Sequence, residues 1–257
     1  MCELFGISSP KPIKTNDLLH EFFSHGMQHP DGWGMAFFYG NEVSLEKQPI
    51  NACKSMYLKA RLTAHTEAQN MIAHIRLATK GHVEYENTHP FVMKDAAGRT
   101  WTLAHNGTIF ESQILDPMFY HQKGHTDSER ILLYIIRQWN RFLRDASSAP
   151  DAGKRFALLD GIIHEITPEN KVNLLLYDGE LMYVHTNYQG SLFVKQQRKA
   201  RIFSTQPLDP GNWQPLPMNT LLAFQNGELR FRGVPHENEY FYNADKAKHL
   251  YLDYALL

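Results

Sequence analysis

The amino-acid sequence predicts an α+β protein in which antiparallel sheets are stacked and helices cover their outer faces. Three observations favour this fold class. Apolar runs flank the dipeptides Asp178-Gly179 and Asn226-Gly227, which are typical of β-hairpins. Apolar stripes with helical spacing indicate amphipathic helices near the N-terminus and in the middle of the chain. The order of strands, helix, strands, two helices and strands lacks the alternation of a doubly wound parallel sheet.

The first half of the chain supplies one helix and most of the expected strands. A short strand begins at Cys2, and Thr15 or Asn16 is expected to cap the helix. The helix carries its apolar residues at spacings of about four, and Gly26 lies near its end. These apolar residues are Leu18, Leu19, Phe22 and Phe23. The expected strands are residues 2–8, 33–39, 41–47, 71–76 and 100–105.

Two helices and the hairpins follow in the second half. Thr126 and Glu129 have the spacing of a capping box, which predicts a helix from this point. Its apolar stripe consists of Leu132, Ile135, Ile136, Trp139, Phe142 and Leu143. A second helix is expected over residues 156–166, after a loop at 145–153. Both hairpin dipeptides suit type I′ turns. The tail, residues 235–257, is expected to be helical.

Composition restricts the class of protein. The 257 residues predict one domain spanning residues 2–257, and the net charge of −1 gives no field that favours nucleic acid or an anionic membrane. No apolar run approaches 18 residues, and the N-terminus lacks the pattern of a secretory signal. The two cysteines cannot form a disulfide framework, so a cytoplasmic location is expected. The fourteen histidines show no metal-binding spacing, so no metal is expected.

Cys2 is the first candidate for chemistry. Cysteine is small enough at position 2 for Met1 to be removed, and the mature chain would then carry a thiol and a free α-amine on one residue. The thiol needs a base to become nucleophilic, and an α-amine with a pKa near 8 is partly neutral at physiological pH. Cys53 lies in a polar stretch and is interpreted as a bystander.

Three further stretches carry residue types that acyl transfer would use. Arg76 ends an apolar strand, where its planar guanidinium would bind a carboxylate. Asn106 and Gly107 end another strand, where a side-chain amide and a backbone N–H can form an oxyanion hole. Asp127 lies in the first helical turn and can bind an ammonium group. Taken singly, each has a structural alternative: a salt bridge, an Asn-Gly turn and a helix cap.

The ordered set of motifs is more specific than any of its members. After the N-terminal cysteine come HPDGWG, HIRLAT, ENTHPF, AHNG, TDSE and STQPL, in that order. This set resembles the class II glutamine amidotransferases, which are N-terminal-nucleophile hydrolases. The resemblance extends from Cys2 to about Trp213 and is greatest to the standalone amidotransferase-like branch. It implies a four-layer αββα sandwich of two antiparallel sheets.

The resemblance also implies roles for individual residues. Cys2 would be the nucleophile with its own α-amine as base, and Asn106 and Gly107 would stabilise the oxyanion. Arg76 would hold the α-carboxylate of the substrate and Asp127 its α-ammonium. Thr79 and His89 would line the pocket. The implied reaction is cleavage of the γ-amide of glutamine or a γ-glutamyl compound through a thioester, without a cofactor.

Two alternatives to a self-contained amidohydrolase remain at this stage. The chain would be a glutaminase subunit if it delivered ammonia to a separate acceptor or synthase subunit, and a non-catalytic relative if Met1 were retained. The stretch Arg76 to Lys80 reads RLATK where many fused enzymes have RWATH, which puts a similar lid in doubt. The motifs recognise the glutamyl head, so they leave the leaving group and the oligomeric state open.

Overall fold

Two antiparallel sheets form the centre of the computed structural model, which describes residues 2–110, 112–146 and 151–243. The first sheet has seven strands in the order β11-β9-β10-β1-β4-β2-β3, and the second has six in the order β13-β12-β8-β7-β6-β5. The strands are β1 Glu3–Lys14, β2 Trp33–Tyr39, β3 Glu42–Gln48, β4 Glu67–Ile75, β5 Phe91–Lys94, β6 Thr100–His105, β7 Leu174–Tyr177, β8 Met182–His185, β9 Phe193–Gln197, β10 Ala200–Ser204, β11 Trp213–Pro215, β12 Leu222–Gln225 and β13 Glu228–Arg232.

Within the described residues, four α-helices cover the two sheets. They are α1 Asn16–Ser24, α2 Met56–Thr63, α3 Asp127–Asp145 and α4 Ala152–Ile166. Short 3₁₀ turns occupy His25–Met27, Ala52–Lys54 and Asp116–Tyr120. The capping box at α3 is half confirmed: the Thr126 hydroxyl accepts from the Glu129 N–H, but the Glu129 carboxylate binds the N–H groups of Lys123 and Gly124 instead of that of Thr126.

Three apolar clusters define four layers. One lies between the first sheet and helices α1 and α2, and includes Phe22 and Trp33. A second lies between the two sheets and includes Leu4, Ala104 and Leu175. The third lies between the second sheet and helices α3 and α4. The expected α+β fold and four-layer αββα sandwich are therefore confirmed.

The two hairpin dipeptides differ in conformation. Asn226 and Gly227 have φ of 54° and 78°, as a type I′ turn requires. In the other hairpin only Gly179 has a positive φ, 87°, so the type I′ prediction is wrong there. The physical reason is that the Asp178 side chain accepts from the N–H groups of Glu180 and Leu181, which holds the turn in another conformation.

The C-terminal tail departs from its prediction. Residues 235–243 form no helix, because this segment is held by irregular backbone bonds such as that from Tyr240 N–H to the Asn187 carbonyl, 2.7 Å. The rest of the predicted tail helix, and Met1, lie outside the described residues. Among the described helices, none is both long enough and apolar enough to cross a membrane.

Candidate active site

Cys2 lies at the open end of β1, directly before the first residue that pairs with β4. Glu3 pairs with Ile75, so the thiol reaches the backbone just beyond the end of β4. Cys2 Sγ donates to the Leu77 carbonyl at 3.3 Å and accepts from the Leu77 N–H at 3.4 Å. Since alternate residues of a strand share a face, Cys2 points to the same side as Leu4, into the space between the sheets.

The Cys2 thiol is in a mixed electrostatic environment. Burial raises the pKa of the thiol, whereas the hydrogen bond with Leu77 and the positive charges of Arg76 and Lys171 act to lower it. Cys53, by contrast, is exposed and is directed at carbonyl groups at the end of α1. The two cysteines therefore differ in burial and in their surroundings, and the charges of Arg76 and Lys171 act on Cys2.

The STQPL motif holds the start of β1 in place. The Leu4 N–H donates to Thr205 Oγ1 at 2.8 Å, and Gln206 Nε2 donates to Glu3 Oε1 at 2.6 Å. His25 Nδ1 lies 2.8 Å from the other oxygen of the buried Glu3 carboxylate. This network fixes the residue that follows Cys2, so it determines where the thiol sits.

Arg76 is buried and organises the loop that follows β4. Its guanidinium donates to the carbonyl oxygens of Lys80 at 2.8 Å, Gly81 at 2.9 Å and His82 at 2.8 Å. Its charge also lies close enough to Cys2 to affect the thiol. The side chain is thus at the predicted place, with both terminal nitrogens donating to backbone carbonyl groups.

The HPDGWG motif packs against the same strand end. Asp31 Oδ2 accepts from the Ala78 N–H at 2.8 Å, and the Asp31 N–H donates to the Arg76 carbonyl at 3.0 Å. Gly34 is required here, because a Cβ atom would lie 2.2 Å from the His89 carbonyl oxygen. The sequence analysis assigned no role to this motif, and the structure shows that it supports the Arg76 loop.

Asn106 and Gly107 extend the ladder between β6 and β7. The Asn106 N–H donates to the Asn173 carbonyl at 2.8 Å, and the Thr108 N–H donates to the Lys171 carbonyl at 3.0 Å. Because these flanking residues bond toward β7, the N–H of Gly107 points away from that strand. Gly107 is also required sterically, since a Cβ atom would lie 1.9 Å from the Lys171 carbonyl oxygen. The side chain of Asn106 shares the inner face with Ala104.

Asp127 begins α3 and points toward the same strand end. Its Oδ2 accepts from the Ile109 N–H at 2.7 Å, and Ser128 Oγ lies 3.3 Å from its Oδ1. Ser128 in turn bonds His105 Nδ1 at 2.9 Å, while His105 Nε2 lies 3.2 Å from the Lys171 carbonyl. Because a carbonyl only accepts, the proton of the neutral ring is on Nε2. Burial lowers the pKa of His105, which keeps the ring neutral.

A cavity of about 310 Å³ opens beside Asp127. Two cationic residues, Lys80 and Arg130, line it together with the carboxylates of Asp116 and Asp127. Lys80 Nζ donates to the Ile109 carbonyl at 2.6 Å, so the loop after β4 is tied to the segment before α3. The cavity is therefore bordered by charges of both signs, and of the predicted site residues Asp127 lines it, whereas Cys2, Arg76 and Asn106 do not.

The two residues predicted to line the pocket occupy different positions. Thr79 is half-buried in the loop after β4. His89 is 3% exposed and stacks on His74 with ring centroids 4.1 Å apart, behind the loop that Arg76 organises. The ring nitrogens of His89 are buried with no hydrogen-bond partner in the described structure, and burial lowers the pKa values of both histidines well below the usual range. His89 therefore packs between the rings of His74 and Phe91.

Sequence reasoning missed two residues at this end of the molecule. Asn87 donates to the His82 carbonyl at 3.0 Å and accepts from the His125 N–H at 2.7 Å, so it connects the two loops at the site. Lys171 lies opposite Thr108 and interacts electrostatically with Cys2. The ENTHPF motif marked Asn87, whereas no motif marked Lys171. Within the described residues, no three His, Cys, Asp or Glu side chains converge as a metal site would require.

The site residues follow a fixed order along the chain. The order is a thiol next to β1, a buried arginine after β4 and an Asn-Gly pair after β6. The family model described as class-II glutamine amidotransferases matches residues 1–196. The chain belongs to the class II glutamine amidotransferases. The match covers Cys2, Arg76, Asn106, Gly107 and Asp127, so all five lie within the part that defines this amidotransferase family.

Individual relatives agree with this family. The amidotransferase is 30% identical over 195 residues to Escherichia coli K12 YafJ, covering 73% of this chain and 74% of YafJ. It is 27% identical over 269 residues to a Haemophilus influenzae protein, covering 92% of this chain and 89% of that one. Both relatives are provisionally named glutamine amidotransferases.

A solved structure supports the fold. Glutamine phosphoribosylpyrophosphate amidotransferase from Bacillus subtilis, complexed with ADP and GMP, superposes with a TM-score of 0.67 at 15% identity. The alignment covers 93% of this chain, which spans half the length of that enzyme. At this identity the likeness concerns the fold alone.

Proposed function

We propose that this amidotransferase cleaves the γ-amide of glutamine or of a γ-glutamyl compound, with Cys2 as the nucleophile once Met1 has been removed. The products are glutamate and either ammonia or an amine. The proposal is supported by the face that Cys2 shares with Leu4, which is turned toward the second sheet, where Ala104 and, two residues further on, Asn106 lie on the inner face. A thiol facing two hydrogen-bond donors is the arrangement that acyl transfer needs.

The proposed reaction has two steps. The α-amine of Cys2 takes the thiol proton, the sulfur attacks the γ-carbonyl carbon, and the oxygen becomes an oxyanion between the Asn106 side chain and the Gly107 N–H. The C–N bond then breaks, and the leaving nitrogen takes the proton from the α-ammonium. In the second step water, deprotonated by the same amine, attacks the thioester, and glutamate leaves as the thiol is restored.

The glutamyl head requires one cation and one anion. Asp127 faces the cavity beside the strand ends and would bind the α-ammonium. Arg76 would supply the positive charge for the α-carboxylate while it holds the loop at residues 80–82. Lys80 occupies the last position of the RLATK stretch, where many fused enzymes have histidine, and it lines the same cavity.

The test combines intact-protein mass with a glutamine-mimicking diazoketone, 6-diazo-5-oxonorleucine. We expect loss of Met1 and a single adduct that maps to Cys2. Cys2→Ala should abolish both the adduct and glutamate release, and the matched control Cys53→Ala should retain both. A protein without Met1 that forms no adduct, or an active Cys2→Ala variant, would contradict the proposal.

The fate of the nitrogen is decided by a substrate panel. Release of amine from γ-glutamyl amides or peptides by the isolated protein, at a rate above that with glutamine, identifies an amidohydrolase. Glutaminase activity that rises only when a second protein is added identifies a subunit that delivers ammonia.

A further inference from the structure

We propose that Lys171 is an auxiliary residue of the catalytic centre, where its ammonium group stabilises the thiolate of Cys2. This inference rests on Cys2 being the nucleophile proposed above. Lys171 lies just before β7, outside every motif that identified the family, and it acts through the thiol instead of contacting the substrate.

The backbone places Lys171 on the inner face of the second sheet. The β6–β7 register pairs Ala104 with Leu175 and His105 with Leu174, and the same register continues to the bridge between Thr108 and Lys171. That bridge has both hydrogen bonds, 3.0 Å and 3.1 Å. Lys171 therefore shares a face with Leu175, which packs in the cluster between the two sheets.

The neighbour of Lys171 points the other way, which confirms the alternation. Val172 and Leu174 belong to the outer cluster under helices α3 and α4. Lys171 must then project toward the first sheet, where Cys2 lies two residues before Leu4 on the facing side. Thiol and ammonium thus approach each other from opposite sheets, and their charges interact.

The ammonium of Lys171 is buried beside an aromatic ring. Lys171 is 3% exposed, and its Nζ lies 4.8 Å from the centroid of the Tyr188 ring. His105, which bonds the Lys171 carbonyl, is neutral at physiological pH, and Arg76 adds a second positive charge near Cys2. Burial lowers the pKa of Lys171 to about 8, and the negative charge of a Cys2 thiolate opposes this. The group therefore carries most of its charge at pH 7.

A second lysine in this chain provides a matched control. Burial lowers the pKa of Lys47 to about 8 as well, and its Nζ lies 4.6 Å from the centroid of the Tyr85 ring. The charges that act on Lys47 are those of Glu129, Glu86 and Lys123, and Cys2 is not among them. Replacing Lys47 removes a buried ammonium of the same kind whose charge is not among those that act on Cys2.

The experiment measures the thiol itself. In a Cys53→Ala background whose loss of Met1 is verified by mass, the rate of Cys2 alkylation by iodoacetamide is followed from pH 5.5 to 9.5. We expect Lys171→Met to raise the midpoint by about one pH unit, which slows alkylation at pH 7 about tenfold. Lys171→Arg, which keeps the charge, should restore most of the rate, and Lys47→Met should leave the midpoint unchanged.

Circular dichroism and thermal unfolding verify that each variant is folded. If Lys171→Met does not fold, Lys171→Gln is judged by the same criterion. A folded neutral variant with the parental midpoint overturns the inference, and so does an equal shift in Lys47→Met. Activity separates this failure from that of the proposed function. An unmoved midpoint with an inactive Cys2→Ala variant overturns only the role of Lys171, whereas an active Cys2→Ala variant overturns the function itself.

Discussion

Strand β7 has a buried charged residue near each of its ends, and the surroundings of the two charges differ. Beyond its last residue, Asp178 is fully buried and accepts from Arg155 Nε at 2.7 Å and from the Tyr183 hydroxyl at 2.8 Å. Before its first residue, the buried Lys171 lies beside an aromatic ring, and its charge interacts with the thiol of Cys2. The far end therefore holds a structural ion pair, whereas at the Cys2 end a cation acts on the proposed nucleophile.

The role of a buried charge depends on the group that it faces. A paired ion stabilises the fold because removing one partner leaves the other uncompensated. A cation beside a titrating thiol stabilises one protonation state of that thiol. Variants at the two ends of the sandwich should therefore separate stability from activity.

The largest effect is expected at the far end. Arg155→Met leaves the Asp178 carboxylate buried without its cation, and should lower the free energy of unfolding by about 3–5 kcal/mol. Urea unfolding monitored by circular dichroism measures this loss, and kcat per folded molecule should be retained. Lys14→Met, which breaks an exposed pair with Asp17, should cost about 0–1 kcal/mol. A marked loss of kcat in folded Arg155→Met would contradict the assignment of stability to the far end and activity to the Cys2 end.

The second effect concerns the oxyanion at the Cys2 end. Asn106→Ala removes one of the two proposed donors and should lower kcat by about 10²–10³-fold. Glutamate release under saturating substrate measures it. Asn41→Ala is the control at the far end, where the Asn41 side chain bonds Gly98 and Thr100. If the Asn106→Ala variant had the parental kcat, Asn106 would have a structural role only.

A smaller effect is expected for the ammonium site. Asp127→Asn retains an oxygen that can accept from the Ile109 N–H, so the fold should persist. The lost negative charge should raise KM about tenfold with little change in kcat. Initial rates over a range of glutamine concentrations give both constants, and an unchanged KM would leave Asp127 with only its structural bond to the Ile109 N–H.

The last effect is on the pH dependence of stability. His185 ends β8 on the Cys2 side, where its Nε2 lies 3.0 Å from His236 Nε2, and burial lowers its pKa to about 3. The unfolded chain takes up this proton below about pH 6.5 and the folded chain does not, so stability is full above pH 6.5 and falls toward pH 3. One such histidine contributes about 1.4 kcal/mol per pH unit at most.

Urea unfolding at pH 7 and pH 5 measures this dependence. His185→Asn should lower the difference in unfolding free energy between the two pH values. An identical difference in the variant and the parent would show that His185 does not couple folding to protons.

Much of the fold follows from local sequence signals. Strands 33–39 and 100–105 match their predictions because apolar residues end sharply at Gly40 and at Asn106-Gly107. Helix α2 was missed because only Leu58 and Leu62 of its eight residues are buried, so no apolar stripe marks it. β1 was predicted to end at Ser8 but continues to Lys14, across a register shift that the sequence does not signal.

The site was predictable where motifs end strands. Each of three candidate residues, Cys2, Arg76 and Asn106, lies next to one end of a strand. The sequence motifs could therefore predict their positions. Lys171 became visible only through the register that opposes it to Thr108, and no local pattern carries that information. Asp31 was overlooked for the same reason, since its role depends on the backbone of Ala78 in a distant loop.

The continuous ladder from β6 and β7 to Thr108 and Lys171 has a consequence for how this chain can change. The chain leaves the ladder after Thr108 and rejoins it at Lys171, which pairs with Thr108. Helices α3 and α4 therefore lie in an excursion, the segment between these two paired residues. Residues added between the helices, at 145–151, would lengthen the excursion without shifting either strand. One residue deleted between Val172 and Leu174 would instead turn Lys171 toward the helices and Val172 toward the thiol. Insertions between α3 and α4 should therefore be tolerated, whereas a deletion between Lys171 and β7 should not.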